Sequence, residues 1–320
     1  MTHDKTVLIV STVADIATDA VIAALNKREA QVVRVNTEDF PFDRSLTLRY
    51  TGQSAVLAIG ERNVVPAAVW YRRVRSPGLP EAMDPGIYDF CLRENRATLL
   101  GGLLSLETRW MSHPAAIWEA EFKPYQLRVA QRHGLRIPQT IVSNDPDVIR
   151  RGFREFGPMI VKPTSSGHFS KGDKGFAIYT TRLTEDHLEH IDEARLAPSV
   201  YQELIPKRFD LRVTCVGGDR MFAVAIHSQL DPAAEIDWRQ TSNPHLPHSK
   251  IELPSQLVEQ LWSLMRHLGL NFGCIDLVQT PDDDYVFLEV NPSGQWLWLD
   301  DQLELGISDA IASWLADPRK

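Results

Sequence analysis

The sequence predicts a mixed chain, α/β at its start and α+β beyond, on three observations. Thr6-Val7-Leu8-Ile9-Val10, a helical period over 16–27 and a second apolar run over 31–35 make a β-α-β opening. Short extended runs at 46–50, 55–59 and 67–71 and a helical stretch over 81–107 complete a first α/β domain, 1–112. Beyond it, strands alternate with turns and end in two apolar runs, 274–279 and 285–290, flanking Thr280-Pro281-Asp282-Asp283-Asp284, the signature of a hairpin.

A second unit begins near His113-Pro114, with a helix over 119–132, a strand over 139–142 and the strand Met159-Ile160-Val161-Lys162. The stretch 164–175 is rich in Gly, Ser and Lys, and 176–180 is extended again. Strand, loop, strand predicts a hairpin tip rather than a turn into a helix. Strands over 199–204, 211–216 and 221–226 and a helix over 256–267 lead to the closing hairpin. This divides the remainder into a central subdomain, 113–198, and a C-terminal one, 199–320.

At 320 residues, 43% apolar and 24% charged, the chain is long enough for two or three packed subdomains. The apolar stretch near its start, Val7 to Val10, is far short of a membrane span or a signal-peptide core, so a cytoplasmic protein is expected, with no membrane partner. Cys91, Cys215 and Cys274 are scattered and odd in number, which argues against a disulfide framework and a CxxC metal site. A net charge of −8 disfavours nucleic acid as a partner, since binding it requires a basic surface. Arg72, Arg73 and Arg75 form a local basic patch open to anions.

Two nucleotide motifs fail. No glycine precedes Gly52, so the first strand-to-helix turn cannot carry a dinucleotide fingerprint. Gly167 to Gly172 has Walker-type spacing, but Asp173 and Lys174 follow where Lys and Ser/Thr should stand. His187/His190 and His245/His248 lack the accompanying acid of a zinc motif and read as solvated surface.

The closing hairpin carries the strongest signal. A turn centred between Asp282 and Asp283 sets Asp276 directly across from Glu289, and the period of two puts Asn291 on the same face. Like charges opposed inside apolar strands repel, and burial penalises both. A hard divalent cation compensates, and an all-oxygen Asp/Glu/Asn set suits Mg²⁺. Lys162 and Lys123 are candidate point charges for phosphates, and Asp210 and Arg212 share one face of their strand.

Together these residues resemble the ATP-grasp superfamily, whose fold holds ATP between two α+β subdomains behind a preceding α/β domain. The resemblance runs from Lys123 onward. It implies that Lys123 and Lys162 contact the α- and β-phosphates, with Ser166 and Gly167 in a loop closing over them. It implies an adenine hinge at Gln202, Glu203, Leu204 and Ile205, Asp210 near the ribose or substrate, and Arg212 toward the γ-phosphate or acyl phosphate. Asp276, Glu289 and Asn291 would hold Mg²⁺. Trp70-Tyr71-Arg72-Arg73, Asp237-Trp238-Arg239 and Asn291-Pro292-Ser293-Gly294-Gln295-Trp296 resemble the graspetide (microviridin-type) branch, although Ser293 stands where that branch often has Asn. That branch implies a ribosomally made precursor peptide with a leader segment as partner, Arg239 among the catalytic residues, and allows a homodimer. Its enzymes join Asp or Glu side chains to Ser, Thr or Lys through an acyl phosphate. Two alternatives are an ATP-grasp ligase acting on amino acids or small metabolites, and a noncatalytic peptide-binding protein that keeps the fold. The complete Lys/Lys/Asp/Glu/Asn set argues against the second.

Overall fold

The computed structural model of the chain describes residues 6–317 apart from 53, 81, 166, 172–173, 242 and 244. In chain order its elements are β1 (Thr6–Ser11), α1 (Ile16–Asn26), β2 (Gln31–Asn36), β3 (Leu46–Thr51), β4 (Ser54–Ile59), β5 (Arg62–Val64), β6 (Ala68–Tyr71), α2 (Pro85–Leu104), β7 (Arg109–Trp110), α3 (Pro114–Ala120), α4 (Lys123–Arg132), β8 (Thr140–Ser143), α5 (Pro146–Phe156) and β9 (Met159–Pro163). There follow β10 (His168–Lys171), β11 (Lys174–Ala177), β12 (Thr181–Leu183), α6 (Glu185–Glu189), β13 (Ser199–Glu203), β14 (Phe209–Val216), β15 (Arg220–Ile226), β16 (His248–Lys250), α7 (Ser255–His267), β17 (Phe272–Gln279), β18 (Tyr285–Asn291), α8 (Leu297–Leu303) and α9 (Ile307–Ala316). They gather into two compact units, one of Met1–Ile117, Gly269–Phe272 and Gln295–Lys320, the other of Trp118–Leu268 and Gly273–Gly294. This grouping differs from a division by chain order into 1–112, 113–198 and 199–320, because the C-terminal stretch packs with the N-terminal one.

The first unit holds a four-stranded parallel sheet, β2-β1-β6-β7, with β1 at its interior and buried along its whole length. Helix α9 lies against α1, burying Ile307, Ala310, Ile311, Trp314 and Leu315. Trp70, Phe272 and Trp296 pack ring to ring, with centroids 6.4, 5.9 and 5.2 Å apart, so Trp296 is a core residue. Arg72 is not an open anion site: its Nε donates to Asp15 Oδ2 at 2.6 Å, and its guanidinium lies 4.2 Å from the Trp296 ring centre. Helix α2 begins at Pro85 because the Asp84 carboxylate accepts from the Gly86 and Ile87 amides and proline fits the first turn. A separate antiparallel meander, β3-β4-β5, meets α2 at Gly102, where a Cβ would stand 3.0 Å from Leu48.

The second unit holds two antiparallel sheets, β12-β9-β13-β8 and β16-β15-β14-β17-β18, and the hairpin β10-β11. The helix expected over 119–132 is two helices, broken between Ala120 and Lys123, with Pro124 placed in the first turn of α4 where its missing N–H costs nothing. The Gly/Ser/Lys-rich stretch does form strand, tip, strand, with Phe169 paired to Phe176; Ser166 and the tip at 172–173 lie outside the described residues. Gln126 of α4 binds Val290 of β18 twice, donating to its carbonyl and accepting from its amide, both at 2.9 Å. Among the described residues no helix is long and apolar enough to cross a membrane.

Candidate functional site

The site is built on the hairpin β17-β18, within the second unit. Cys274 pairs with Asn291 and Asp276 with Glu289, the register read from the sequence. Beyond Asp276 the register slips, so that Leu277 pairs with Phe287 and a bulge separates the acids from the turn. Asn291 lies on the face of both carboxylates, but it is its amide nitrogen that points at them, 2.8 Å from Asp276 Oδ2 and 3.3 Å from Glu289 Oε1. A half-turn of the terminal amide presents the expected oxygen instead.

Cations surround the pair. Arg212 of β14 sends Nη1 to both Asp276 oxygens, at 2.8 and 2.7 Å, and is 6% exposed. Lys123, at the start of α4, lies 3.6 Å from Glu289 Oε2 and donates to the Ser165 carbonyl at 3.2 Å, so it touches both the hairpin acids and the base of the glycine-rich stretch. Burial lifts the Asp276 carboxyl above the usual range; Arg212 pulls against this and Glu289 adds to it. Burial opposes charge on Glu289 too, but Lys162, Lys123 and Arg239 together outweigh it and hold the group below the usual range. Lys162 in β9 is pushed down by burial, with Glu289 pulling it back up. The two acids at one strand crossing are thus pushed in opposite directions, Asp276 by burial and Glu289 by its cations, and perturbed groups of this kind cluster at functional sites.

Among the described residues no three His, Cys, Asp or Glu side chains gather at one point. Mg²⁺ does not need them: it is ordinarily held by one or two carboxylates with water and phosphate oxygens. Two half-buried, opposed carboxylates with an adjacent amide fit that ion.

Glycine is required beneath the site. A Cβ on Gly294 would stand 2.5 Å from Cys274 Cβ, 2.7 Å from its Sγ and 3.1 Å from Arg212 Nη2, so only glycine lets the chain after Asn291 pass behind the guanidinium. Gly167 is equally confined, its carbonyl accepting from Ile178 N at 2.6 Å at the foot of the β10-β11 hairpin.

The remaining expected residues divide. Gln202 is buried and donates to Thr140 Oγ1 at 2.9 Å, while the Glu203 carboxylate takes the Gln139 amide and side chain at 2.9 and 3.1 Å. Leu204 N donates to the Pro158 carbonyl at 2.7 Å. The side chains of Gln202 and Glu203 therefore brace the sheet, and what remains for a base in this segment is backbone around Ile205. Asp210 is enclosed: both its oxygens take Lys207 Nζ, at 2.9 and 2.8 Å, and Oδ2 also takes Ser228 Oγ at 2.5 Å. Burial raises the Asp210 carboxyl against the pull of Lys207. Arg239 is held by Asp237 through two bonds, Nε to Oδ1 at 2.8 Å and Nη2 to Oδ2 at 2.5 Å, and Asp237 also accepts from Thr180 N at 3.1 Å. Sequence reasoning missed Lys207 and Gln126. Lys207 had a signal, standing three residues before Asp210; Gln126 had none.

Residues 6–117 match the family described as the MvdD pre-ATP grasp domain. The Chryseobacterium gregarium RiPP-associated ATP-grasp ligase, in complex with ADP and a leader and core peptide, superposes with a TM-score of 0.90 at 29% identity, covering 98% of this chain and 96% of that one. Macrocyclase MdnC from Microcystis aeruginosa MRC, bound with precursor peptide MdnA, superposes with a TM-score of 0.86 at 32% identity, covering 97% of this chain and 99% of that one. Beta-citrylglutamate synthase B of Danio rerio is 25% identical over 230 residues, 68% of this chain and 53% of that protein. The chain spans about half the length of the curated relatives it matches.

Proposed function

Because the chain belongs to the ATP-grasp superfamily, in its graspetide (microviridin-type) branch, we propose that it is an ATP- and Mg²⁺-dependent ligase that crosslinks side chains of a ribosomally made precursor peptide. The observation that carries the reading is the convergence of Asp276, Glu289 and Asn291 with Lys123, Lys162 and Arg212 on one strand pair. In it, Lys123 and Lys162 neutralise the phosphates and Arg212 faces the γ-phosphate, so catalysis is mainly positioning and charge stabilisation. Asp276, Glu289 and Asn291 would hold Mg²⁺, which would supply positive charge against the developing charge of the phosphates. A peptide Asp or Glu oxygen attacks the γ-phosphorus, ADP leaves, and the acyl phosphate forms. A Ser or Thr hydroxyl or a Lys amine then attacks the acyl carbon, phosphate departs, and one water's worth of atoms is lost per ring.

The glycine-rich hairpin, from Gly167 onward, closes over the phosphates and keeps water from the acyl phosphate. Backbone from Glu203 to Ile205 receives the adenine, Asp210 braces the ribose side through Lys207, and Arg239 faces the substrate carboxylate. The central subdomain, 113–198, and the C-terminal one, 199–320, enclose the nucleotide. A cytoplasmic location and a homodimer accord with this role.

The second reading, a ligase for amino acids or small metabolites, is favoured by the synthases that match at about a quarter identity. Incubation with ATP and an amino-acid library, against a precursor peptide carrying its leader, separates the two. The nucleotide itself is tested by melting. ATP with Mg²⁺ is expected to raise Tm, by about 2.7 kcal/mol of native-state stabilisation at a hundredfold excess over Kd. NAD and NADP are expected to leave Tm unchanged, and a shift with NAD alone overturns the reading.

A further inference from the structure

His133, the residue capping the C-terminus of α4, and His267, the last residue of α7, are 134 positions apart in the chain. Folding places His133 Nε2 3.1 Å from His267 Nδ1, with ring centres 5.1 Å apart and planes at 77°. Both rings are at the surface, away from the phosphate-facing residues, and neither motif reading nor mechanism uses them. Of the two His-x-x-His pairs that the sequence displays, the first is otherwise engaged: His187 Nδ1 sits in the capping box of α6 with Thr184, and His190 Nδ1 faces the Asp186 carbonyl at 3.3 Å.

We propose that His133 and His267 form a two-imidazole site for a late first-row divalent ion, Ni²⁺, Cu²⁺ or Zn²⁺, with water completing the coordination. Metal–imidazole bonds of about 2.0–2.1 Å put two nitrogen ligands about 2.9 Å apart at a right angle and about 3.4 Å apart at the tetrahedral angle. The observed 3.1 Å lies between these. The nitrogens face each other nearly head-on and share a hydrogen bond in the metal-free chain, so each ring must turn by roughly 35° and give up that bond to aim both lone pairs at one ion. Ligation needs the proton of His133 on Nδ1 and that of His267 on Nε2, leaving the facing nitrogens bare.

The backbone favours a cation here. Both helices end at this point, and the partial negative charge of their last carbonyls converges on it. Gln260 Nε2, from the middle of α7, ties that helix to the end of α4 by donating to the Gly134 carbonyl at 2.9 Å. Arg132 and Arg266 in the same last turns oppose a cation, although Arg266 is folded back onto Ser263 Oγ at 3.0 Å. Mg²⁺ and Ca²⁺, which take oxygen ligands, are not bound by such a pair.

The test uses the full chain with Ni²⁺ and Cu²⁺ as probes, comparing wild type with His267→Gln and His133→Gln. Both substitutions keep a polar surface side chain and leave the phosphate site untouched. At ten times its Kd, Ni²⁺ is expected to raise the folding equilibrium about elevenfold in the wild type, and this increment is absent in either variant. One equivalent of Cu²⁺ should give an electron paramagnetic resonance spectrum with two nitrogen couplings, reduced to one or none in the variants. Equal metal stabilisation in wild type and both variants, or a wild-type spectrum without two nitrogens, overturns the proposal whatever the enzyme's substrate.

Discussion

Glu289→Gln is expected to leave a folded protein whose turnover falls by about a thousandfold or more. The substitution keeps the shape of the side chain and removes one of two hard anionic ligands, and about 4 kcal/mol lost from transition-state charge stabilisation is that factor. Asp276→Asn is expected to abolish turnover as well, but with a lower Tm. Asp276 is the counter-charge of buried Arg212, and breaking a buried pair costs about 3–5 kcal/mol, whereas of the cations around Glu289, Lys123 keeps the Ser165 carbonyl and Arg239 keeps Asp237. Steady-state rates with both variants, beside circular dichroism and melting, check the contrast. Full activity in Glu289→Gln removes the metal assignment.

Arg212→Lys should retain the fold and lose about 10²–10³ in kcat with a smaller change in KM for ATP. The ammonium preserves the charge opposite Asp276, so stability survives, but the planar fork that could serve Asp276 and a phosphate at once is gone. A variant with wild-type kcat would show that Arg212 serves only as the partner of Asp276.

The alternation of the closing strands was legible, but the turn is centred on Asp282 rather than between Asp282 and Asp283, as the pairing of Gln279 with Tyr285 shows, and the extra residue at the bulge is what brings Asp276 opposite Glu289. The bulge after Asp276 was not readable, since it depends on how Leu288 fits the sheet rather than on any turn residue. The return of α9 to α1 was hidden for a different reason: an apolar helix at the end of a chain carries no signal of which sheet it covers. Arg72 looked like surface charge because its partner Asp15 and its stacking ring Trp296 are remote in sequence. The enclosure of Asp210 by Lys207 and Ser228 likewise needed the fold, although Lys207 stood within a few residues of it.

The central claim is that a peptide carboxylate is activated by phosphorylation and then captured within the same peptide. The most direct measurement is mass spectrometry of a cognate precursor, leader intact, incubated with the enzyme, ATP and Mg²⁺, with and without hydroxylamine, while the nucleotide products are followed. The account predicts ADP and phosphate, loss of one water per ring, and in hydroxylamine a hydroxamate on an Asp or Glu side chain, because a strong nucleophile competes for the activated carbonyl. AMP and pyrophosphate, or a stable phosphopeptide that never dehydrates, would contradict it.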